Sequence, residues 1–170
     1  MDKNELKISW QEYLTLIKEL AAKIRQSSFS PDYVVGIARG GLIPGEALAR
    51  NFKIPLAILS ARSYGTERKK RNKIFFSRDL AMTTSGLSPK ILLVDDLTET
   101  GETLNKSRRW LGHRYGDFIE EIKTAVLWHK EISAFVPDFF VKFIEKDNEG
   151  KCPWIIQPME AEFETSDLSP

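Results

Sequence analysis

Cysteine is all but missing from this chain. Cys152 stands alone, which excludes an intramolecular disulfide and every multi-cysteine zinc cluster. Long apolar runs are missing too, and none approaches the roughly 18 residues that a membrane-spanning helix needs. Nor is there an excess of one charge, with 25 Lys and Arg against 24 Asp and Glu. Bulk charge therefore gives no reason to expect a nucleic acid or a membrane as partner. The histidines, His113 and His129, have no second ligand at metal spacing, so surface or packing roles are expected for both. The polar start, Met1 to Glu5, lacks the apolar stretch of a signal peptide, and a soluble cytoplasmic protein is expected.

What is present is an ordinary globular composition: 170 residues, 42% hydrophobic and 29% charged, enough for one domain with a full core. Trp10, Tyr13, Leu14, Ile17, Leu20, Ala21 and Ile24 recur at helical spacing, and Ser9 with Glu12 forms a capping-box pattern that sets the start. Tyr33–Ala38 reads as a buried parallel strand, followed by Arg39-Gly40-Gly41 and a helix over Leu42–Phe52. Further strands are expected at Leu56–Leu59, Ile74–Phe76, Ile91–Val94 and Lys123–Trp128. Late extended segments follow at Phe139–Ile144 and Trp154–Ile156, and a helix opens near Gly101 and closes at Gly112 or Gly116. This alternation predicts a single α/β domain: a mostly parallel sheet flanked by helices, over residues 1–160, with an acidic, flexible tail over 161–170.

Ligands of open parallel sheets bind outside the carboxyl ends of the strands, so the loops after Ala38, Leu59, Val94 and Trp128 are the places to look. The richest is Asp95-Asp96-Leu97-Thr98-Glu99-Thr100-Gly101-Glu102-Thr103. Thr98, Thr100 and Thr103 supply hydroxyls, Gly101 permits a tight turn, and the helix that follows presents free amides and the positive end of its dipole. That is a cup for a phosphate monoester. The two acids at its lip suit sugar hydroxyls or a hydrated Mg²⁺. The bland alternative is a helix cap beside two surface acids.

Residues Ile91 to Leu104 resemble the phosphoribosyl pyrophosphate motif of type I phosphoribosyltransferases: an apolar strand, two acids, a short variable stretch, then Thr-Gly-x-Thr. The resemblance implies that Asp95 and Asp96 bind the ribose hydroxyls, with Asp96 near Mg²⁺ directly or through water. It also implies that the loop through Leu97, Thr98, Glu99, Thr100, Gly101, Glu102 and Thr103 holds the 5′-phosphate. Val35 to Gly45 is similar to the pyrophosphate loop of bacterial xanthine-guanine phosphoribosyltransferases, which assigns pyrophosphate contact to Arg39 and Gly40. Taken without the resemblance, Arg39 beside two glycines is equally a tight turn with a solvated arginine.

Arg68 to Lys73 holds five basic residues in six. Such a run is a solvated loop, a nucleic-acid patch, or a lid over a polyphosphate. The resemblance favours the lid, with Lys70 near the family's phosphate-contacting position. Lys130 lies just past the strand ending at Trp128, and Trp154 offers an aromatic face. By resemblance Lys130 reads the purine 6-oxo group, Trp154 stacks on the base, and Ile155 meets the 2-position through its backbone. Trp154-Ile155-Ile156-Gln157-Pro158 resembles the family's Trp-Ile-x-Gln-Pro segment, which forms a small hood. Glu99 stands where the 6-oxopurine enzymes carry an Asp that manages the purine proton.

The expectation is a purine-salvage enzyme of cytoplasmic dimers or tetramers, acting on phosphoribosyl pyrophosphate and a purine base with Mg²⁺. Two alternatives remain at this stage. One is an RNA-binding regulator on the same scaffold, contacting RNA through Arg68 to Lys73. The other is a phosphoribosyltransferase for another base.

Overall fold

In a computed structural model, residues 5–64 and 73–163 are described. The main sheet is built from β2 (Tyr33–Ala38), β3 (Leu56–Tyr64), β4 (Lys73–Phe76), β5 (Lys90–Val94), β6 (Leu97–Thr98), β7 (Glu121–Lys130) and β8 (Phe139–Ile144). Its order is β4-β3-β2-β5-β7, with β8 on the far edge of β7 and β6 continuing the line of β5 along β7. All neighbours are parallel except β3 and β4, which form an antiparallel hairpin. The doubly covered, parallel-dominated sheet is the α/β fold expected from the alternation of elements.

Helix α1 (Trp10–Gln26) starts at the capping box read from Ser9 and Glu12: the Ser9 hydroxyl accepts from the Glu12 amide while the Glu12 carboxylate accepts from the Ser9 amide. Helices α2 (Leu42–Phe52) and α3 (Glu102–Tyr115) follow β2 and β6. The strands feed two cores by simple alternation. Val34, Leu92 and Val94 pack with α1 and α2, whereas Tyr33, Val35, Ile37, Ile91 and Leu93 pack with Leu104 and Leu111 of α3.

Two differences from the sequence reading bear on function. First, β7 runs to Lys130 instead of stopping at Trp128, because His129 and Lys130 are both buried and paired within the sheet. Second, the hood is not made by the C-terminal segment alone. β1 (Glu5–Lys7), where no strand is expected from the sequence, pairs in parallel with β9 (Trp154–Ile156), setting Glu5 opposite Trp154. The Ile8 amide then donates to the Ile156 carbonyl, one residue before the cap of α1. A short helix, α4 (Pro158–Phe163), runs across position 160.

Candidate active site

β5 and β6 keep one register against β7, with Val94 opposite Ala125 and Leu97 opposite Trp128. Between them Asp95 and Asp96 leave the regular strand, yet their main chain stays bonded to β7: the Asp95 amide donates to Ala125 (3.1 Å) and the Leu127 amide to the Asp96 carbonyl (2.8 Å). Each carboxylate folds back on the next amide. Asp95 Oδ1 accepts from the Asp96 N–H at 3.0 Å, and Asp96 Oδ1 from the Leu97 N–H at 2.7 Å. Asp96 Oδ2 accepts from the side-chain amide of Gln157, which ties the hood to this strand end.

Asp95 is buried and Asp96 partly so, and both line the same hollow. Burial, reinforced by the charge of Asp96, pushes the Asp95 carboxyl well above the ordinary range. Burial also raises Asp96, against the lowering effect of the bonds from Gln157 and Leu97. Beneath them the Tyr13 hydroxyl is buried with no partner, held in its neutral form by burial and by the charges of Asp96 and Asp95.

The segment 95–101, with Thr103 and Leu104, lines a hollow of about 320 Å³. Gly101, at φ 78°, is the residue before α3, and a side chain there would press within 2.6 Å of Phe135 and Ser133. The Gly101 N-cap has no side chain to cap α3, and of the amides in its first turn that of Glu102 donates to Thr100 Oγ1 at 3.3 Å. Thr103 is half-buried in the wall. The expectation of three hydroxyls is corrected at Thr98. Its side chain is buried and bonded to His129 Nδ1 at 2.8 Å, so only its main chain is left for the hollow. Burial lowers the His129 pKa and the ring packs between Phe140 and Phe143, a packing role as expected. The Glu102 carboxylate lies back along the helix against Lys106 (3.2 Å).

Arg39 is exposed on the turn between β2 and α2, after a cis Ala38–Arg39 peptide. Gly40 beside it fits so closely that a β-carbon would overlap the Asp96 carboxylate. The β2 turn and the β5 acids thus form one continuous floor. Lys70 lies outside the described residues.

On the other side of the hollow, three residues from separate elements converge. Lys130 ends β7 with a side chain only 2% exposed, and its Nζ is 3.1 Å from Glu99 Oε1. The same ammonium lies 5.6 Å from the centre of the Trp154 ring, which is 57% exposed in the hood. Ile155 is buried with its side chain in the core, so only its main chain can meet a ligand. Gln157, within the Trp-Ile-x-Gln-Pro segment, is a further candidate site residue, and its only sequence signal is its place in that segment. A larger hollow of about 490 Å³ lies further along α3, by Arg108, Arg109 and Ile119, and touches none of the expected site residues.

A parallel-dominated sheet flanked by helices, with two acids and a helix start brought to one hollow at the end of a central strand, is an α/β fold of the kind that places ligands at strand ends. The chain belongs to the phosphoribosyl transferase family: the model of the phosphoribosyl transferase domain matches residues 9–164. It is 26% identical over 152 residues to the xanthine-guanine phosphoribosyltransferase of Idiomarina loihiensis, covering 88% of this chain and 86% of that one. It is 35% identical over 100 residues to the hypoxanthine-guanine phosphoribosyltransferase of Aquifex aeolicus, covering 56% and 54%. The crystal structure of the purine phosphoribosyltransferase from Pyrococcus horikoshii superposes with a TM-score of 0.75 at 28% identity, over 98% of this chain and 99% of that one. The class is that of phosphoribosyltransferases, enzymes of the glycosyltransferase type.

Proposed function

We propose that this enzyme transfers the 5-phosphoribosyl group of phosphoribosyl pyrophosphate to N9 of a 6-oxopurine (hypoxanthine, guanine or xanthine). The products are the nucleoside 5′-monophosphate and pyrophosphate. The observation that carries the reading is the meeting of Glu99, Lys130 and Trp154 beside the hollow at the start of α3. A phosphate seat and a cation-edged aromatic face lie next to each other, as a phosphoribosyl donor and a flat oxo-base require. The names of the similar proteins from Idiomarina loihiensis and Pyrococcus horikoshii point the same way.

The 5′-phosphate sits at the start of α3 and on Thr100 and Thr103, where the helix dipole favours an anion. The ribose hydroxyls donate to Asp95 and Asp96, whose buried setting strengthens each bond and fixes the ring. Arg39 and the Gly40 amide take the pyrophosphate, with Lys70 as a further cation. The base stacks on Trp154 while Lys130 donates to its 6-oxo oxygen, and the Ile155 main chain faces its 2-position.

In the reaction N9 attacks C1′ as the C1′–O bond breaks, and the pyrophosphate leaves with the electron pair. The proton on N7 passes to the Glu99 carboxylate. Bound Mg²⁺ supplies neutralisation of the leaving group. Asp96 suits it through water, since both its oxygens already accept bonds and Mg²⁺ keeps much of its hydration.

Residues 1–160 form the catalytic unit on this reading, and 161–170 an acidic tail. The enzyme acts in the cytoplasm as a homodimer or homotetramer, which light scattering checks. Pyrophosphate release, measured with each purine base with and without Mg²⁺, tests the function. Mg²⁺-dependent release with 6-oxopurines supports it, and release with none refutes it.

A further inference from the structure

Lys130 and Glu99 are an unequal pair. The Lys130 side chain is 2% exposed and the Glu99 side chain 46%, and no other ion pair among the described residues has a partner buried so deeply. The ammonium is a donor only, and besides Glu99 its recorded neighbour is the face of Trp154, which offers no lone pair. If the pair opens, the half-exposed Glu99 is already in contact with water, whereas Lys130, shielded while the pair is closed, must find a new acceptor. The pair therefore opens most readily when a ligand supplies Lys130 with that acceptor.

We propose that the Glu99–Lys130 ion pair is a latch released by the base itself: a base with an acceptor at the 6-position opens it, at some cost in affinity, and only then is the Glu99 carboxylate free to take the proton. This rests on the function proposed above and adds to it a competition for Lys130 between Glu99 and the base. A 6-oxo oxygen replaces the Glu99 carboxylate as acceptor for Lys130, and the carboxylate swings free towards the imidazole edge of the base. A 6-amino group presents N–H to N–H. Lys130 then keeps Glu99, and the carboxylate stays away from the ring nitrogen it must reach. Recognition at the 6-position and release of the proton acceptor become one event. The extra methylene of Glu over Asp gives position 99 the reach to close the latch from the loop after β6.

The test uses ligands in which N7 carries no hydrogen, so that Glu99 has no bond to lose. Inosine 5′-monophosphate, adenosine 5′-monophosphate and ribose 5-phosphate are titrated calorimetrically into the wild-type enzyme and into Glu99→Ala. Glu99 is the countercharge of the buried Lys130, so Glu99→Ala is expected to lose stability, and circular dichroism establishes that it is folded at the titration temperature. Should it not fold, Glu99→Gln, which keeps a weaker, uncharged acceptor, is titrated in its place, with a smaller rise of the same sign expected. The latch predicts that Glu99→Ala raises the inosine-to-adenosine affinity ratio about fivefold, the upper end for a partly solvated ion pair. An equal shift for all three ligands would mean a plain charge effect and would overturn the latch, as would weaker inosine monophosphate binding. Failure of the wild type to bind ribose 5-phosphate would instead overturn the function on which the latch rests.

Discussion

Gly40 and Asp96 belong to different strand ends, yet the main chain of one is pressed against the carboxylate of the other. Any β-carbon at position 40 displaces Asp96 or opens the β2 turn. Gly40→Ala is therefore expected to lower kcat/KM by about 100-fold, the scale of a small misplacement in a reacting site. The far-UV spectrum stays unchanged. Steady-state kinetics beside circular dichroism check both.

Gln157 ties the hood to Asp96. Gln157→Leu leaves a buried carboxylate oxygen without its donor, and the KM for phosphoribosyl pyrophosphate should rise about tenfold, the loss expected for one such bond. A change confined to the KM of the base would show that Gln157 serves the hood alone.

The carboxyl of Asp95 titrates above its ordinary range because it is buried. The folded chain thus binds this proton more tightly than the unfolded one. As pH rises from about 4, the ordinary value, through the raised folded value, stability falls. Asp95→Asn removes that slope. Its Tm at neutral pH should exceed the wild type's by roughly 2–4 °C for each kcal/mol relieved, while activity is lost. Thermal scans from pH 4 to 8 measure the difference.

Thr98 and Thr103 should separate cleanly. Thr98→Val strips His129 of its buried partner and is expected to cost about 1–3 kcal/mol of stability with little change in substrate KM. Thr103→Val should do the reverse, raising KM for phosphoribosyl pyrophosphate with an unaltered Tm. Urea unfolding and initial rates on both variants decide it.

Glu99→Gln keeps the size of the side chain and removes its capacity to take a proton. We expect kcat to fall by about 100-fold or more, within the range for general base catalysis, with binding of phosphoribosyl pyrophosphate unchanged. Equal turnover in the variant would assign the proton elsewhere.

Much of this architecture is written locally. Ser9 and Glu12 mark the start of α1 because a capping box involves only neighbours in sequence. The run Ile91–Val94 reads as a buried parallel strand because both its faces are covered, and the acids that follow it mark the strand end. What stayed hidden is what distant segments decide. Glu5–Lys7 is too short to carry a strand signal of its own, and only the partner strand at Trp154–Ile156 makes it β1. The inward turn of Thr98 depends on His129, thirty-one residues away in β7. The sinking of Lys130 into the sheet depends on Glu99, which supplies the countercharge that lets an ammonium be buried.

The most direct test of the central claim is a crystal structure with inosine 5′-monophosphate bound. The account predicts the phosphate on the amides at the start of α3, the ribose hydroxyls on Asp95 and Asp96, and the purine against Trp154 with its 6-oxo oxygen on Lys130. A phosphate seated elsewhere, or a purine that leaves Lys130 and Trp154 untouched, would contradict it.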